Sequence, residues 1–347
     1  MKVDYIIVGL GLAGLAFAEQ LREHGKTFVV FEDNSQTSSN VAGGMYNPVI
    51  LKRFTPVWNA VSQLELAMPF YKKIEEKFES QYDYPIEIYR SFKSIEEQNN
   101  WFATCDHPAL SEFMIPKVIP NENEAVNAPF GFGKLQHTGR IYTKKLLNDY
   151  KAFLRETNSI REISFDYDDL VFTDKIVKYQ DITVSKIVFC EGFGLKQNPF
   201  FNYLPMQEAK GELITIKAPN LKIDYLLKSA VFVLPLGDDL YKVGATFNWK
   251  DKSLEPSEEG KNELVEKLKT VINVPYEIIN QTAGIRPTVK DRRPLVGVHP
   301  QYKSLAILNG LGTRGVMIAP TAAKMLYEFL EENKEIDKEY CINRFEK

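Results

Sequence analysis

The sequence predicts an α/β fold: a domain built on a parallel sheet, joined to a second, antiparallel-sheet domain of α+β character. Three observations predict it. The N-terminus reads strand, glycine turn, helix, strand, acid, in that order. Buried-strand runs recur much later, at Ile187–Cys190 and Leu305–Leu308, the second entering a glycine-rich turn before a helix. Between those two runs, Glu212–Lys217, Ala230–Leu234 and Leu240–Phe247 read as strands of an antiparallel sheet.

Asp4–Val8 is a short apolar run suited to a buried parallel strand. Gly9-Leu10-Gly11-Leu12-Ala13-Gly14 follows, then a helix from Leu15 to His24 that Gly25 stops. Thr27–Phe31 is a second strand, ending in Glu32-Asp33. Ser35 to Asn40 is a polar loop, and Gly43-Gly44 marks a tight passage before Met45 and Tyr46. Trp58 to Glu79 has helical spacing of apolar residues among many charges. Residues 80–134 lack clear periodicity, hold several prolines and read as part of a substrate-side region. Thr143–Glu156 and Pro256–Val271 are amphipathic helices. After Leu305–Leu308 comes Asn309-Gly310-Leu311-Gly312-Thr313-Arg314-Gly315, then a helix from Ile318 to about Asn333. No internal repeat is present.

A chain of 347 residues suits two domains. The expected division is 1–79, 135–209 and 280–347 for the nucleotide-binding domain, with 80–134 and 210–279 for the substrate domain. The net charge of -3 gives no global attraction to nucleic acid. Cys105, Cys190 and Cys341 are far apart and follow no CxxC spacing, which argues against disulfides and zinc and for a reducing, cytoplasmic setting. The four histidines are scattered singly, so no metal site is expected. HExxH, Walker A and GxSxG motifs are absent. Tyr5 to Ala18 imitates a secretory leader, but Asp4 and the spaced glycines favour the nucleotide reading. No run reaches the roughly 20 apolar residues of a membrane span.

Gly9, Gly11 and Gly14 have the GxGxxG spacing of a Rossmann-type dinucleotide site. The first glycine allows the tight turn, the second lets backbone approach a pyrophosphate, and the third lets helix pack on strand. Phosphates then sit against the N–H groups of the helix start, at Leu12 and Ala13. Glu32, with Asp33 beside it, is placed to accept from ribose hydroxyls. The unit alone does not separate FAD from NAD.

The C-terminal third carries more. Gly284-Ile285-Arg286-Pro287-Thr288, then Asp291, Pro294 and Gly297, then Asn309 to Gly315 before Ala319-Pro320, resembles the closing signature of FAD-dependent oxidases of the D-amino-acid oxidase and glycine oxidase group. That group includes the oxidase domain of the bifunctional tRNA enzyme that makes methylaminomethyl-thiouridine. The resemblance runs through the whole chain in order, by way of Gly43-Gly44-Met45-Tyr46, the strand to Gly192, Lys210-Gly211-Glu212 and Val243-Gly244-Ala245-Thr246. It implies non-covalent FAD, an amine or amino-acid substrate, and molecular oxygen or another electron acceptor. It implies cofactor contacts from Gly43, Gly44, Met45, Gly192, Gly310, Gly312, Thr313, Arg314, Gly315 and Val316, with the last helix pointing its positive end at the ring.

Arg286 matches the family arginine that grips the substrate carboxylate, a task its planar fork suits. Arg314 is a second candidate, in a Gly-Thr-Arg-Gly string similar to the Gly-Ser-Arg-Gly of the tRNA-modifying domain. Where glycine oxidase has a substrate-facing histidine and tyrosine, this chain has Ala230 and Phe232, which argues for a bulkier or more apolar substrate, or for a different activity. Tyr46 and Arg53 are candidates to supply polar groups instead. Three functions stay open at this point: an amine or amino-acid oxidase or dehydrogenase, an oxidase of a modified tRNA uridine, and an FAD-binding protein without activity.

Overall fold

The computed structural model describes residues 1–173 and 176–345. In chain order, the elements that build the site are β1 (Lys2–Val8), α1 (Leu12–Glu23), β2 (Phe28–Phe31), α2 (Ala60–Phe78), β3 (Ile88–Ser91), α3 (Thr143–Glu156), β4 (Ile182–Phe189), β5 (Met206–Lys217), β6 (Leu226–Lys228), β7 (Phe232–Gly237), β8 (Leu240–Gly244), α4 (Glu258–Lys269), β9 (Glu277–Val289), β10 (Leu305–Asn309) and α5 (Gly315–Glu332).

The first sheet has β1 at its centre, parallel to β2 on one side and β4 on the other. β10 runs parallel to the far half of β4, while Val177–Tyr179 pairs antiparallel with its first half. The β1 residues Tyr5, Ile6 and Ile7 are almost wholly buried because both faces of the sheet are covered. α1, α2, α3 and α5 pack one face, with Leu15, Phe17, Tyr71, Leu146 and Leu326 in a single apolar cluster. The other face is covered by an aromatic group that includes Phe31, Tyr179, Phe189 and Phe201.

The second large sheet is eight-stranded, in the order β9-β5-β8-β7-β6-β3, then Phe132–Leu135 and Met114–Ile119. Its neighbours pair antiparallel except β6 and β3, which run parallel. α4 covers its outer face through Leu264 and Leu268, both fully buried with Ile214, Val233 and Val243.

The predicted strands and helices are present, with shifted ends. α1 begins at Leu12, three residues before the predicted start, because the glycine turn is itself the helix N-terminus. The expected polar loop at Ser35–Asn40 contains a short helix, Ser38–Val41. Residues 80–134 hold strands and a helix, Ile95–Cys105, that periodicity did not reveal. Their strands are short and their faces mixed, and buried Trp101 supplies much of their core. β9 is a strand of 13 residues paired along its length with β5; its composition (EIINQTAGIRPTV) hides it, since Gly and Pro are poor strand formers.

Candidate active site

Between the two large sheets lies a cavity of about 940 Å³. β1 feeds it from below. Gly9 takes φ +96 and its N–H donates to the Phe31 carbonyl at 2.8 Å. Gly14 lies against Gly9 so closely that a Cβ there would stand 2.0 Å from the Gly9 carbonyl oxygen. Gly11 is different: a Cβ would meet only Ser39 Oγ, at 3.2 Å. The fold leaves room there, and that room opens on the cavity. α1 has no acid in its first turn, so its positive end faces the same space. α5 starts nearby, with Gly315 against Leu12, so two helix N-termini converge. This cradle fits a dinucleotide pyrophosphate.

The end beside β2 is acidic. Glu32 accepts from Leu10 N at 2.5 Å and Asn34 N at 2.7 Å, so the carboxylate also braces the glycine turn. Burial raises the Asp33 carboxyl, but hydrogen bonds from Ser35 and Ser164 outweigh it and hold it below the usual carboxylate range. Glu191 was not anticipated. It follows β4, is 8% exposed and lines the cavity, where Asn198 Nδ2 donates to it at 2.8 Å and the Tyr167 hydroxyl donates to its other oxygen. Burial pushes its carboxyl up to about 7, with Asp33 adding to the rise. The available signal was a charged residue at the end of an otherwise apolar strand.

The opposite end is basic. Arg286, on β9, extends over Gly211 of β5, with Cζ 4.1 Å from the Phe247 ring. Its Nη2 donates to the Thr246 carbonyl at 3.2 Å, and its buried Nη1 has no partner among the described residues. Burial, with no carboxylate among the described residues to offset it, pulls the guanidinium down to about 10. Asp291, the neighbouring acid, is taken by Arg344 at 2.7 Å. Arg314 also lines the cavity, and burial followed by repulsion from Arg292 and Arg293 lowers it. Phe232, 6% exposed, lines the floor with Ala230, Leu213 and Gly244.

Most residues expected at the site meet in this one cavity: Gly9, Gly11, Leu12, Ala13, Glu32, Asp33, Gly43, Gly44, Met45, Gly192, Phe232, Arg286, Gly312, Thr313, Arg314, Gly315 and Val316. Gly14, Gly310 and Tyr46 stand behind the lining. The Tyr46 hydroxyl donates to Asp83 at 2.9 Å, and burial raises its pKa far above the ordinary tyrosine value. Arg53 is likewise outside the lining. Of the cysteines, Cys190 alone lines the cavity, with its thiol pushed well up by burial. Among the described residues there is no cluster of metal-ligating side chains.

The fold and this cavity define a dinucleotide-dependent oxidoreductase scaffold. The chain belongs to the DAO family of FAD dependent oxidoreductases, whose family model matches residues 4–329. It is 25% identical over 308 residues to the tRNA 5-methylaminomethyl-2-thiouridine biosynthesis bifunctional protein MnmC of Campylobacter jejuni subsp. doylei, covering 84% of this chain and 45% of that protein. It is 24% identical over 167 residues to the glycine oxidase of Bacillus subtilis, covering 46% of this chain and 44% of that one. The chain thus spans about half the length of the bifunctional relative. The crystal structure of glycine oxidase from Geobacillus kaustophilus has a TM-score of 0.79 at 18% identity, over 96% of this chain and 95% of that one. Among the described residues, no helix is long and apolar enough to cross a membrane.

Proposed function

We propose that this FAD-dependent oxidoreductase oxidises the carbon–nitrogen bond of an amine or amino acid that carries a carboxylate. The observation that carries this reading is Arg286, whose buried Nη1, at the basic end of the cavity, has no partner among the described residues. A buried guanidinium edge is costly unless an anion meets it, and a carboxylate matches its fork. When bound, FAD supplies the two-electron acceptor. Gly9, Gly11, Leu12, Ala13 and Gly14 would hold its pyrophosphate, and Glu32 and Asp33 its ribose side. Gly43, Gly44, Met45, Gly192 and the turn from Gly310 through Thr313, Arg314 and Gly315 to Val316 would hold its ring side.

Arg286 then fixes the substrate by its carboxylate, so that the carbon bearing the amine is oriented. Leu213 and Phe232, both buried, keep water from that carbon. The substrate gives up a hydride from carbon and a proton from nitrogen, and water afterwards splits the imine to a carbonyl compound and an amine. Oxygen or another acceptor takes the electrons onward. The three free cysteines fit a reducing, cytoplasmic setting.

The test is the absorption spectrum of the purified holoprotein during anaerobic addition of an amine panel of N-substituted glycines and D-amino acids. Bleaching of the flavin bands by one class supports the reading and names the class. A bound flavin that no amine of the panel reduces overturns it and leaves either the tRNA reading below or an FAD-binding protein without activity.

A second reading has support of its own. The similarity to the bifunctional tRNA enzymes favours a modified uridine as substrate. Its carboxymethylamino arm would place a secondary amine next to a carboxylate. Salt-sensitive retention of tRNA, with loss of the carboxymethyl group, would select this reading.

A further inference from the structure

The floor of the basic end holds a cation for which the carboxylate-gripping arginine leaves no task. Sheet register sets Leu213, Gly244, Phe232, Lys228 and Arg90 in one row across β5, β8, β7, β6 and β3. Residues in one row face the same side of a sheet. The first four line the cavity, and Lys228 Nζ lies 5.8 Å from the Phe232 ring.

The cations around Lys228 have partners of their own. Arg90 is 6% exposed and donates to Glu97 at 3.0 Å and to the Leu51 carbonyl at 3.3 Å. Lys267, which reaches the cavity from α4, pairs with Glu263 at 2.5 Å. Lys228 has no carboxylate and no hydrogen-bond acceptor among the described residues. Burial, then Arg90 and Lys267, lowers it to about 8. Among the described residues, the carboxylates that line the cavity are Glu32, Asp33 and Glu191, at its other end. Keeping a half-buried ammonium beside two like charges works against the fold. A bound anion offsets that cost.

We propose that Lys228, with Lys267 beside it, forms a second anion subsite, and that the substrate carries a second acidic group, carboxylate or phosphate, remote from the one that Arg286 holds. This rests on the amine-oxidation reading for the reaction, but not for the binding of an anion. Lys228 stands beside the Phe232 ring, and Arg286 lies over Gly211 against Phe247. Gly211, under Arg286, is three strand spacings from Lys228 across the sheet and lies two residues along β5 from Leu213 of the Lys228 row, so the two backbones are about 16 Å apart. The lysine side chain shortens the gap. A compact amino acid with one carboxylate does not fill it, whereas an amine bearing acidic groups at both ends does.

The decisive measurement is binding of ligands that cannot be oxidised, followed by the shift in flavin absorbance and in melting temperature of the holoprotein. Straight-chain dicarboxylates from glutarate to suberate are compared with monocarboxylates of equal length, and with ω-phosphonocarboxylates. At least one diacid is expected to bind ten-fold or more tighter than its monoacid, with an affinity that falls as salt rises. Tighter binding of the phosphonates assigns the second group as phosphate, and tighter binding of the dicarboxylates assigns it as carboxylate. In K228M the preference is expected to fall to near one, and K228R is expected to restore it. Equal affinity of wild-type protein for diacids and monoacids overturns the proposal even if K228M fails to fold, as does a preference that survives in K228M. Because no oxidation is needed, a protein that binds diacids yet bleaches with no amine separates failure of the oxidase reading from failure of this one.

Discussion

The guanidinium of Arg286 lies directly over the backbone of Gly211: a Cβ at Gly211 would stand 2.0 Å from Nη2. The two residues sit on paired strands, and the missing side chain of one is the space of the other. G211A is therefore expected to displace the guanidinium while sparing the distant glycine turn. KM for carboxylate-bearing amines should rise ten-fold or more with flavin content retained. R286K, which keeps the charge but loses the fork, should cost about 1.5–3 kcal/mol of substrate binding. Steady-state kinetics with a flavin spectrum of each variant checks both, and an unchanged KM in R286K would remove Arg286 from the substrate site.

Gly11 and Gly14 carry opposite expectations. A methyl group at Gly14 meets backbone at 2.0 Å, so G14A should lose about 1–3 kcal/mol of stability with or without cofactor. A methyl group at Gly11 meets only a serine hydroxyl at 3.2 Å, so G11A should fold normally and bind FAD weakly. Melting curves of cofactor-stripped and FAD-loaded protein separate the two cases. If G11A bound FAD as wild type does, the pyrophosphate would not lie against that backbone.

Glu191 makes stability depend on pH near neutrality. Burial raises its carboxyl from about 4.5 to about 7 in the folded chain. The folded form holds the proton more tightly than the unfolded form. Its contribution to stability is therefore full below about 4.5 and is lost as pH rises through about 7. E191Q keeps groups that can bond to Asn198 and Tyr167 but cannot ionise. Melting temperatures of the cofactor-stripped protein between pH 4.5 and 8 should fall less steeply in E191Q than in wild type. Parallel curves would show that Glu191 does not titrate in this range.

Lys210 is wholly buried, and its Nζ donates to Asp251 at 2.5 Å and to Ser253 at 3.0 Å, with Glu212 3.6 Å away. It ties β5 to the segment that leads into α4. K210M strips those carboxylates of their cation and should destabilise the fold by about 3–5 kcal/mol. Denaturant unfolding measures this, and a loss under 1 kcal/mol would place the anchor elsewhere.

The readable part of the site was local. Gly9, Gly11, Gly14 and Glu32 announce themselves because a tight turn, a close approach and a ribose contact each need one residue type within a few positions. Arg286 and Arg314 were legible only through the resemblance of the string around them. Nothing near Arg286 in sequence says that its side chain occupies the space above Gly211, more than seventy positions earlier. Tyr46 looked available because it follows two glycines, yet Asp83 holds its hydroxyl behind the cavity wall. Glu191 and Lys228 were missed because a lone charge at a strand end is ordinary in sequence. What makes each unusual is burial and the charge of its neighbours, and both come from strands distant in the chain.

Hydrophobic period and glycine placement act over a few residues, so the βαβ start, the two kinds of sheet and the helices that flank the glycine turns are written locally in the chain. That the cavity has an acidic end and a basic end follows from the packing of strands distant in the chain. The pairing of β9 with β5 and of β6 with β7 and β3 brings cations from three strands and α4 toward one floor. Burial then sets which of them meet a carboxylate and which remain open to a ligand.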